Sequence, residues 1–208
     1  MKVYEIILSG GPVMWPLLVC SIVVMTIIGE RMLFWMQIRR KRNRNLMDEV
    51  LHLAESRDWP RIKEKTLGSE DFVIRVLNVG ILHRDYDMSK AMEAEAQQMV
   101  NRMSQFMSVL DTMITVAPLL GIFGTVLGII SSFEVLGNSG IADPKLVTGG
   151  IAQALLTTAA GLGISIISVF PYNYFKSRIE HAIHVMEKYA TSLEVVYKKS
   201  ASSPEYEA

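Results

Sequence analysis

Thirty consecutive residues, from Leu146 to Phe175, contain no Asp, Glu, Lys, Arg or His. A helix needs roughly 20 apolar residues to cross the hydrocarbon core of a bilayer, so this run is long enough to span one. It is not uniformly apolar. Gln153, Thr157, Thr158, Ser165 and Ser168 are spread along it, with Gly149, Gly150, Gly161 and Gly163 between them. At about 100° per residue, Gln153, Thr157, Ser168, Gly161, Ser165 and Thr158 fall within roughly 140° on one side of a helix. Ile151, Leu155, Leu162, Ile166 and Val169 gather opposite. The small, hydroxyl-bearing face has two readings. It packs against another helix, where small and hydroxyl residues are common, or it lines a water-filled or ion-conducting path.

The rest of the chain is organised in the same way. Its 208 residues carry 21 basic and 21 acidic side chains, for a formal net charge of zero. That balance argues against a nucleic-acid binder held by bulk electrostatics. The charges are segregated, nearly absent from three long segments and dense between them. This is the pattern of an all-α integral membrane protein with three transmembrane helices and a substantial soluble part. Cys20, the sole cysteine, excludes an intramolecular disulfide and a zinc site built on several cysteines. Inside an apolar run, it reads as a small buried residue.

Residues 1–11 form a short stub that ends in the Gly10-Gly11-Pro12 break. The first span covers residues 12–38. Glu30 and Arg31 lie near its end, either as a pair snorkelling to the interface or with Glu30 facing a subunit contact or an ion path. Arg39, Arg40, Lys41, Arg42 and Arg44 follow, so the positive charge comes after the apolar run and marks an anchor, not a cleavable leader.

Residues 39–110 are the soluble region, with apolar stripes at helical spacing. Leu46, Val50, Leu53 and Ala54 form one, and Phe72, Val73, Val76, Leu77 and Leu82 a second. Met92, Met99, Met103, Phe106, Met107 and Leu110 form a third, whose thick methionine stripe reads as packing. No Pro or Gly separates this third stripe from the next apolar run, which predicts one long helix rising directly into the second span.

The second span covers residues 111–134. Around it, Pro118, Gly121, Gly128 and Ser132 lie within about 60° of Thr125, a second small, hydroxyl-bearing face. Pro118 removes a backbone hydrogen bond and predicts a kink. Gly124 and Gly128 have the GxxxG spacing that permits close helix contact. Residues 135–145 form a short hairpin, 146–175 the third span, and 176–208 a C-terminal helix and tail. Thirteen basic residues between Arg39 and Arg102, and five after Lys145, place those parts in the cytoplasm and the N-terminus outside it.

Other chemistries find no support. His181 and His184 are three apart on a charged helix with no third ligand nearby. GIFGTVLG has glycine density but no Lys-Ser/Thr ending to hold a phosphate. No nucleophile in the spans has an accompanying base. The reading is a chain that is not an enzyme and needs no metal or cofactor.

Two motifs are specific. Ala117-Pro118-Leu119-Leu120-Gly121-Ile122-Phe123-Gly124-Thr125-Val126, continuing to Ser131-Ser132-Phe133, resembles the second span of the ExbB/TolQ/MotA proton-channel family, closest to its ExbB/TolQ branch. Gly150-Ile151-Ala152-Gln153-Ala154-Leu155 through Thr158 and Gly161-Leu162 resembles that branch's third span, and GGPVMWPLLVCSIVVMTIIGER its first. The resemblance implies a stator subunit of the bacterial inner membrane, with the N-terminus periplasmic and long helices extending into the cytoplasm. It implies an oligomeric helical ring, a homopentamer, around an ExbD/TolR-like single-span partner with a membrane Asp. The motion is then passed to a TonB- or TolA-like protein. Thr125 and Thr158 match the family's pore-facing threonines. With Gln153, Thr157, Ser132 and Ser165 they are the candidate ion-path residues, while Pro118, Gly121, Gly124, Gly128 and Gly161 serve packing or the kink.

Gln153 stands where the best-known ExbB and TolQ proteins carry a pore Glu. Glutamine hydrogen-bonds but does not exchange a proton near neutral pH. Between Asp111 and Lys176 the acidic and basic side chains are Glu134, Asp143 and Lys145, all toward the outer edge. If ions cross here, the protonation site or charge must come from another chain. The coupling ion stays open between proton and sodium, since hydroxyls and carbonyls also suit sodium. The alternative to a motor subunit is a non-conducting oligomeric scaffold.

Overall fold

The computed structural model describes residues 10–139 and 144–202, and every regular element among them is an α-helix. In chain order these are α1 (Met14–Lys41), α2 (Arg44–Glu55), α3 (Trp59–Thr66), α4 (Phe72–Leu82), α5 (Met88–Met103), α6 (Met107–Ser139) and α7 (Pro144–Ser202). Most of the stub, the hairpin tip at 140–143 and the tail at 203–208 lie outside the described residues. The contacts divide the chain into two compact units, Met1–Arg31 with Phe106–Phe175, and Met32–Gln105 with Lys176–Ala208.

The first unit packs parts of α1, α6 and α7. Leu17 and Ala117 are buried at its centre against Leu120, Ala160 and Ile164. A second cluster joins Val24, Ile27 and Leu110 to Met113 and Tyr172. Cys20 is buried, as a small apolar residue in this run should be. Three helical stretches are long and apolar enough to cross a membrane, yet only 17–22% of their apolar windows is buried. Ile22, Leu155 and Phe170 are 58%, 61% and 73% exposed. So much outward apolar surface belongs against lipid or other chains, not water.

The second unit is capped helix by helix, which is why short segments hold as helices. Side chains of Asn43, Asp58, Asp71 and Asp87 accept hydrogen bonds from the amides of Leu46, Arg61, Val73 and Lys90. The Lys90 amide, followed by its ammonium, holds the Asp87 carboxyl below its ordinary pKa. Beneath the caps, Met47, Val50, Ile62, Val73, Ile74 and Leu77 are buried. Met88, Met92, Met99 and Met103 line the inner face of α5, so the methionine stripe is packing. On α7, the Tyr189 hydroxyl donates to Asp48 at 2.9 Å. Burial, then that carboxylate, raises the phenol's pKa.

Four local expectations are corrected. The helix leading to the second span is interrupted: α5 ends at Met103 and α6 starts at Met107. Phe106 lies between them with φ 63°, a conformation that a bulky residue adopts only under local constraint. Its ring sits 5.7 Å from the Arg31 guanidinium. Arg31 does not snorkel outward; it is 1% exposed and donates to Glu30 at 2.6 Å. Leu82, assigned to an apolar stripe, is 74% exposed. The α6 helix also runs on to Ser139, into the segment expected to be hairpin.

Asp71 is the joint of the second unit. It is 1% exposed, and one carboxylate oxygen accepts from the Val73 amide at 2.9 Å. The other accepts from the Asn43 amide at 2.8 Å, tying the start of α4 to the turn between α1 and α2. Asp71→Ala leaves two amides without this partner and should cost ~1–3 kcal/mol. The check is chemical denaturation of the detergent-solubilised chain, with Asp71→Asn expected to retain more stability than Asp71→Ala.

Candidate functional site

The glycines expected to serve packing lie where α6 and α7 come together. A Cβ added at Gly121 would stand 2.9 Å from the Thr157 carbonyl oxygen and 3.0 Å from the Thr158 Cα. One added at Gly161 would collide with the Ala117 carbonyl oxygen and lie 3.2 Å from the Gly121 Cα. Gly124 faces the Thr157 side chain, and Gly128 faces Ala154 and Gly150. The two backbones therefore meet directly, as small-residue interfaces permit. By contrast, a Cβ on Gly163 would meet nothing within 4 Å.

Close approach brings hydroxyls of one helix to carbonyls of the other. Pro118 has no N–H, so the carbonyl four residues earlier, Ile114, lacks its ordinary helical donor. Ser165 of α7 supplies one, donating to the Ile114 oxygen at 2.8 Å. Two turns further along α6, the Gly121 carbonyl accepts from Thr158 at 3.0 Å, from Thr125 at 3.1 Å and from Thr157 at 3.3 Å. Thr157 also donates back to Ala154 at 2.7 Å. The Thr125 and Thr158 hydroxyls also lie within hydrogen-bonding distance of each other, so one of them can donate to its neighbour in place of the Gly121 carbonyl.

The six candidate path residues thus fall into distinct environments. Thr125 and Thr158 are paired and only partly buried. Thr157 is 1% exposed and sits inside the seam. Ser165 is half-buried on the Ile114 carbonyl. Ser132 is 5% exposed, packed against Gly150 and bonded to the Gly128 carbonyl at 2.8 Å. Gln153 points elsewhere: a Cβ at Gly11, where φ is +73°, would fall on its amide. It shares a cavity of about 310 Å³ with Pro12, Val13, Gly124, Leu127 and Ser131. The amide is therefore set against the N-terminal turn, apart from the threonine pair.

Sequence reasoning missed Gly11 and Gly150 as close-approach residues and Ser131 as a cavity wall. The Gly10-Gly11-Pro12 break carried a signal for a turn, but nothing local told which side chain would lie against it. Ser168, on the polar face by spacing, bonds its own helix at Ile164, 2.6 Å away.

Two substitutions test this geometry. Ser165→Ala should destabilise the chain, by ~0.6–2 kcal/mol for a hydrogen bond between membrane helices. In a Pro118→Ala background the restored N–H satisfies Ile114, so the same change should be nearly neutral; a double-mutant cycle on thermal unfolding in detergent reads the coupling. Separately, Gly161→Ala should cost ~1–3 kcal/mol through overpacking, while Gly163→Ala should cost little, measured by the same thermal midpoints.

The family described as the MotA/TolQ/ExbB proton channel family matches residues 68–188. The chain is 31% identical over 203 residues to the putative biopolymer transport protein ExbB-like 3 of Synechocystis, covering 95% of this chain and 96% of that protein. It is 28% identical to the biopolymer transport protein exbB1 of Vibrio cholerae, over 76% of this chain and 72% of that one. Against the Tol-Pal system protein TolQ of Haemophilus influenzae it is 38% identical, over 44% of this chain and 39% of the relative. The match takes in α6 and the span of α7, the helices that build the hydroxyl-lined seam. The chain is a membrane protein of the MotA/TolQ/ExbB proton channel family, on its ExbB/TolQ side.

Proposed function

We propose that this chain is a stator subunit of an ion-driven motor in the bacterial inner membrane. The observation that carries this reading is the Thr125–Thr158 hydroxyl pair, partly buried beside the Gly121 carbonyl in a helix pair without a charged side chain nearby. Hydroxyls and carbonyls hold water or a cation in place without binding a proton themselves. The charge that makes transport vectorial then belongs to a single-span ExbD/TolR-like partner with a membrane Asp. Gln153, set against the N-terminal turn, hydrogen-bonds water or that carboxylate. Moving one charge through 100 mV releases ~2.3 kcal/mol, enough to bias a rotational step without breaking packed helices.

On this reading five copies form a ring around the partner, with the N-terminus periplasmic and residues 39–110 and 176–208 cytoplasmic. The basic residues that flank the first span favour that orientation. The names of the relatives, biopolymer transport and Tol-Pal, favour a TonB- or TolA-like protein as the element that receives the motion. Proton and sodium remain the two coupling ions that this chemistry fits.

A second reading has its own support. The Thr157, Ser132, Ser165 and Ser168 hydroxyls all bond backbone carbonyls, as in a seam built for packing alone. A non-conducting scaffold would need no more. Thr158→Val separates the two, because it keeps the volume and removes the hydroxyl. The motor reading expects ion-dependent activity to fall about tenfold or more, the loss of one buried hydrogen-bonding group. Native mass spectrometry should still show the ring with its ExbD/TolR-like partner. Full activity in Thr158→Val, with assembly lost only in Gly161→Leu, would sink the path assignment and leave the scaffold.

A further inference from the structure

The second unit contains a pocket of about 330 Å³ that the hydroxyl seam does not touch. It opens where the charge-free part of α1 gives way to the basic cluster. Its floor is apolar: Phe34 and Ile38 of α1 and Met99 and Met103 of α5 line it, with Phe72 from α4. Phe72, Met99 and Met103 are buried, while Phe34 and Ile38 are half-buried and carry the apolar surface outward along α1. Its rim is basic, formed by Lys41, Arg75 and Arg102 against one lining carboxylate, Glu70.

Lys41 and Arg75 each make one ion pair. Lys41 lies 2.5 Å from Glu70, and Arg75 Nε lies 2.5 Å from Glu95. An ammonium has three donors and a guanidinium five, so single contacts leave donors for a further anion. The neutral side chains Gln37 and Ser69 add hydrogen-bonding capacity at the same rim. The depth is also informative. Phe34 and Trp35, followed by Arg39 and Arg40, are the aromatic and basic residues that mark headgroup level at the end of a span.

We infer that this pocket binds an anionic phospholipid from the adjoining leaflet, with the phosphate at Lys41, Arg75 and Arg102 and an acyl chain along Phe34 and Ile38. Net positive charge over an apolar floor selects an anionic amphiphile. A free phosphate lacks the part that meets the floor, and a zwitterionic lipid lacks the net charge. The inference depends on the chain lying in a membrane and not on ion conduction.

The test uses the full chain in non-ionic detergent, with dioleoylphosphatidylglycerol or dioleoylphosphatidylcholine added to the micelles. Native mass spectrometry counts the lipid that each chain retains. Phosphatidylglycerol should be retained in preference to phosphatidylcholine by about fivefold or more, and Arg102→Gln should remove about that factor. Arg102→Lys should restore most of it, and Arg40→Gln, an exposed cation outside the pocket, should leave it unchanged. Lys41→Gln gives an independent reading if Arg102→Gln lowers the thermal midpoint. Excess glycerol 3-phosphate should not compete. Equal retention of both lipids, equal losses in Arg40→Gln and Arg102→Gln, displacement by glycerol 3-phosphate, or a neighbouring chain that excludes lipid would each overturn the site.

Discussion

A carbonyl without a donor cannot be left inside an apolar medium, because no water is there to satisfy it. Pro118 creates such a carbonyl at Ile114, and Ser165 answers it from the neighbouring helix. That bond works only if α6 and α7 lie in one register, and the register is what the glycines permit. Gly121 and Gly161 leave no room for a Cβ, so the two backbones touch at the level that also brings Thr157 and Thr158 to the Gly121 carbonyl. Proline, glycine and hydroxyl residues here are parts of one arrangement. Enlarging Gly121 or Gly161 makes a clash, and removing the Ser165 hydroxyl while Pro118 stays leaves the Ile114 carbonyl unsatisfied.

The same arrangement divides the polar face. Spacing placed Thr157, Thr158, Ser165 and Ser168 on one side of α7, but a face is a range of angles and the seam occupies only part of it. Thr157 and Ser168 point into the contacts and are almost wholly buried. Thr158 lies nearer the edge, where it meets Thr125 and stays partly accessible. A hydroxyl fully committed between two packed backbones is a poor ligand for a moving ion, since approach would require the helices to part. A hydroxyl pair at the edge can exchange its partner for water at little cost. The two functional readings therefore meet on different atoms of the same seam.

The spans, the small-residue faces and the methionine stripe were legible because each follows from composition and periodicity alone. Caps are short-range and depend mostly on local residue order. Asp87 sits before a run of apolar spacing, and it does cap α5. Asp71 also bridges to Asn43, a contact across 28 residues that no local pattern encodes. The interruption between Met103 and Met107 was invisible for a related reason. Neither Gly nor Pro marks it, and Phe106 takes a positive φ in a place where its ring meets Arg31 from another helix. The burial of Arg31 was hidden by the same contact. Gln153 was readable as a polar residue in a span, but its neighbour Gly11 comes from the far end of the chain.

The Gln153 position sharpens what the seam can and cannot supply. A carboxylate at the same point would titrate and could carry a proton through part of the membrane. An amide holds both its donors and its acceptor at every accessible pH. From Thr112 through Phe133, and again from Leu146 through Phe175, there is no side chain that changes charge between mild acid and mild base. Isolated charge at such a depth is costly, so a cation entering the seam alone would face a barrier that two hydroxyls and a carbonyl offset only in part. A carboxylate brought by a second chain changes both sides of that balance. It neutralises the cation, or takes up the proton, and it gives the Thr125–Thr158 pair a charged acceptor to bond. On the motor reading, ion passage through this seam would be tied to where the second chain's carboxylate stands, and a seam silent without its partner would not leak.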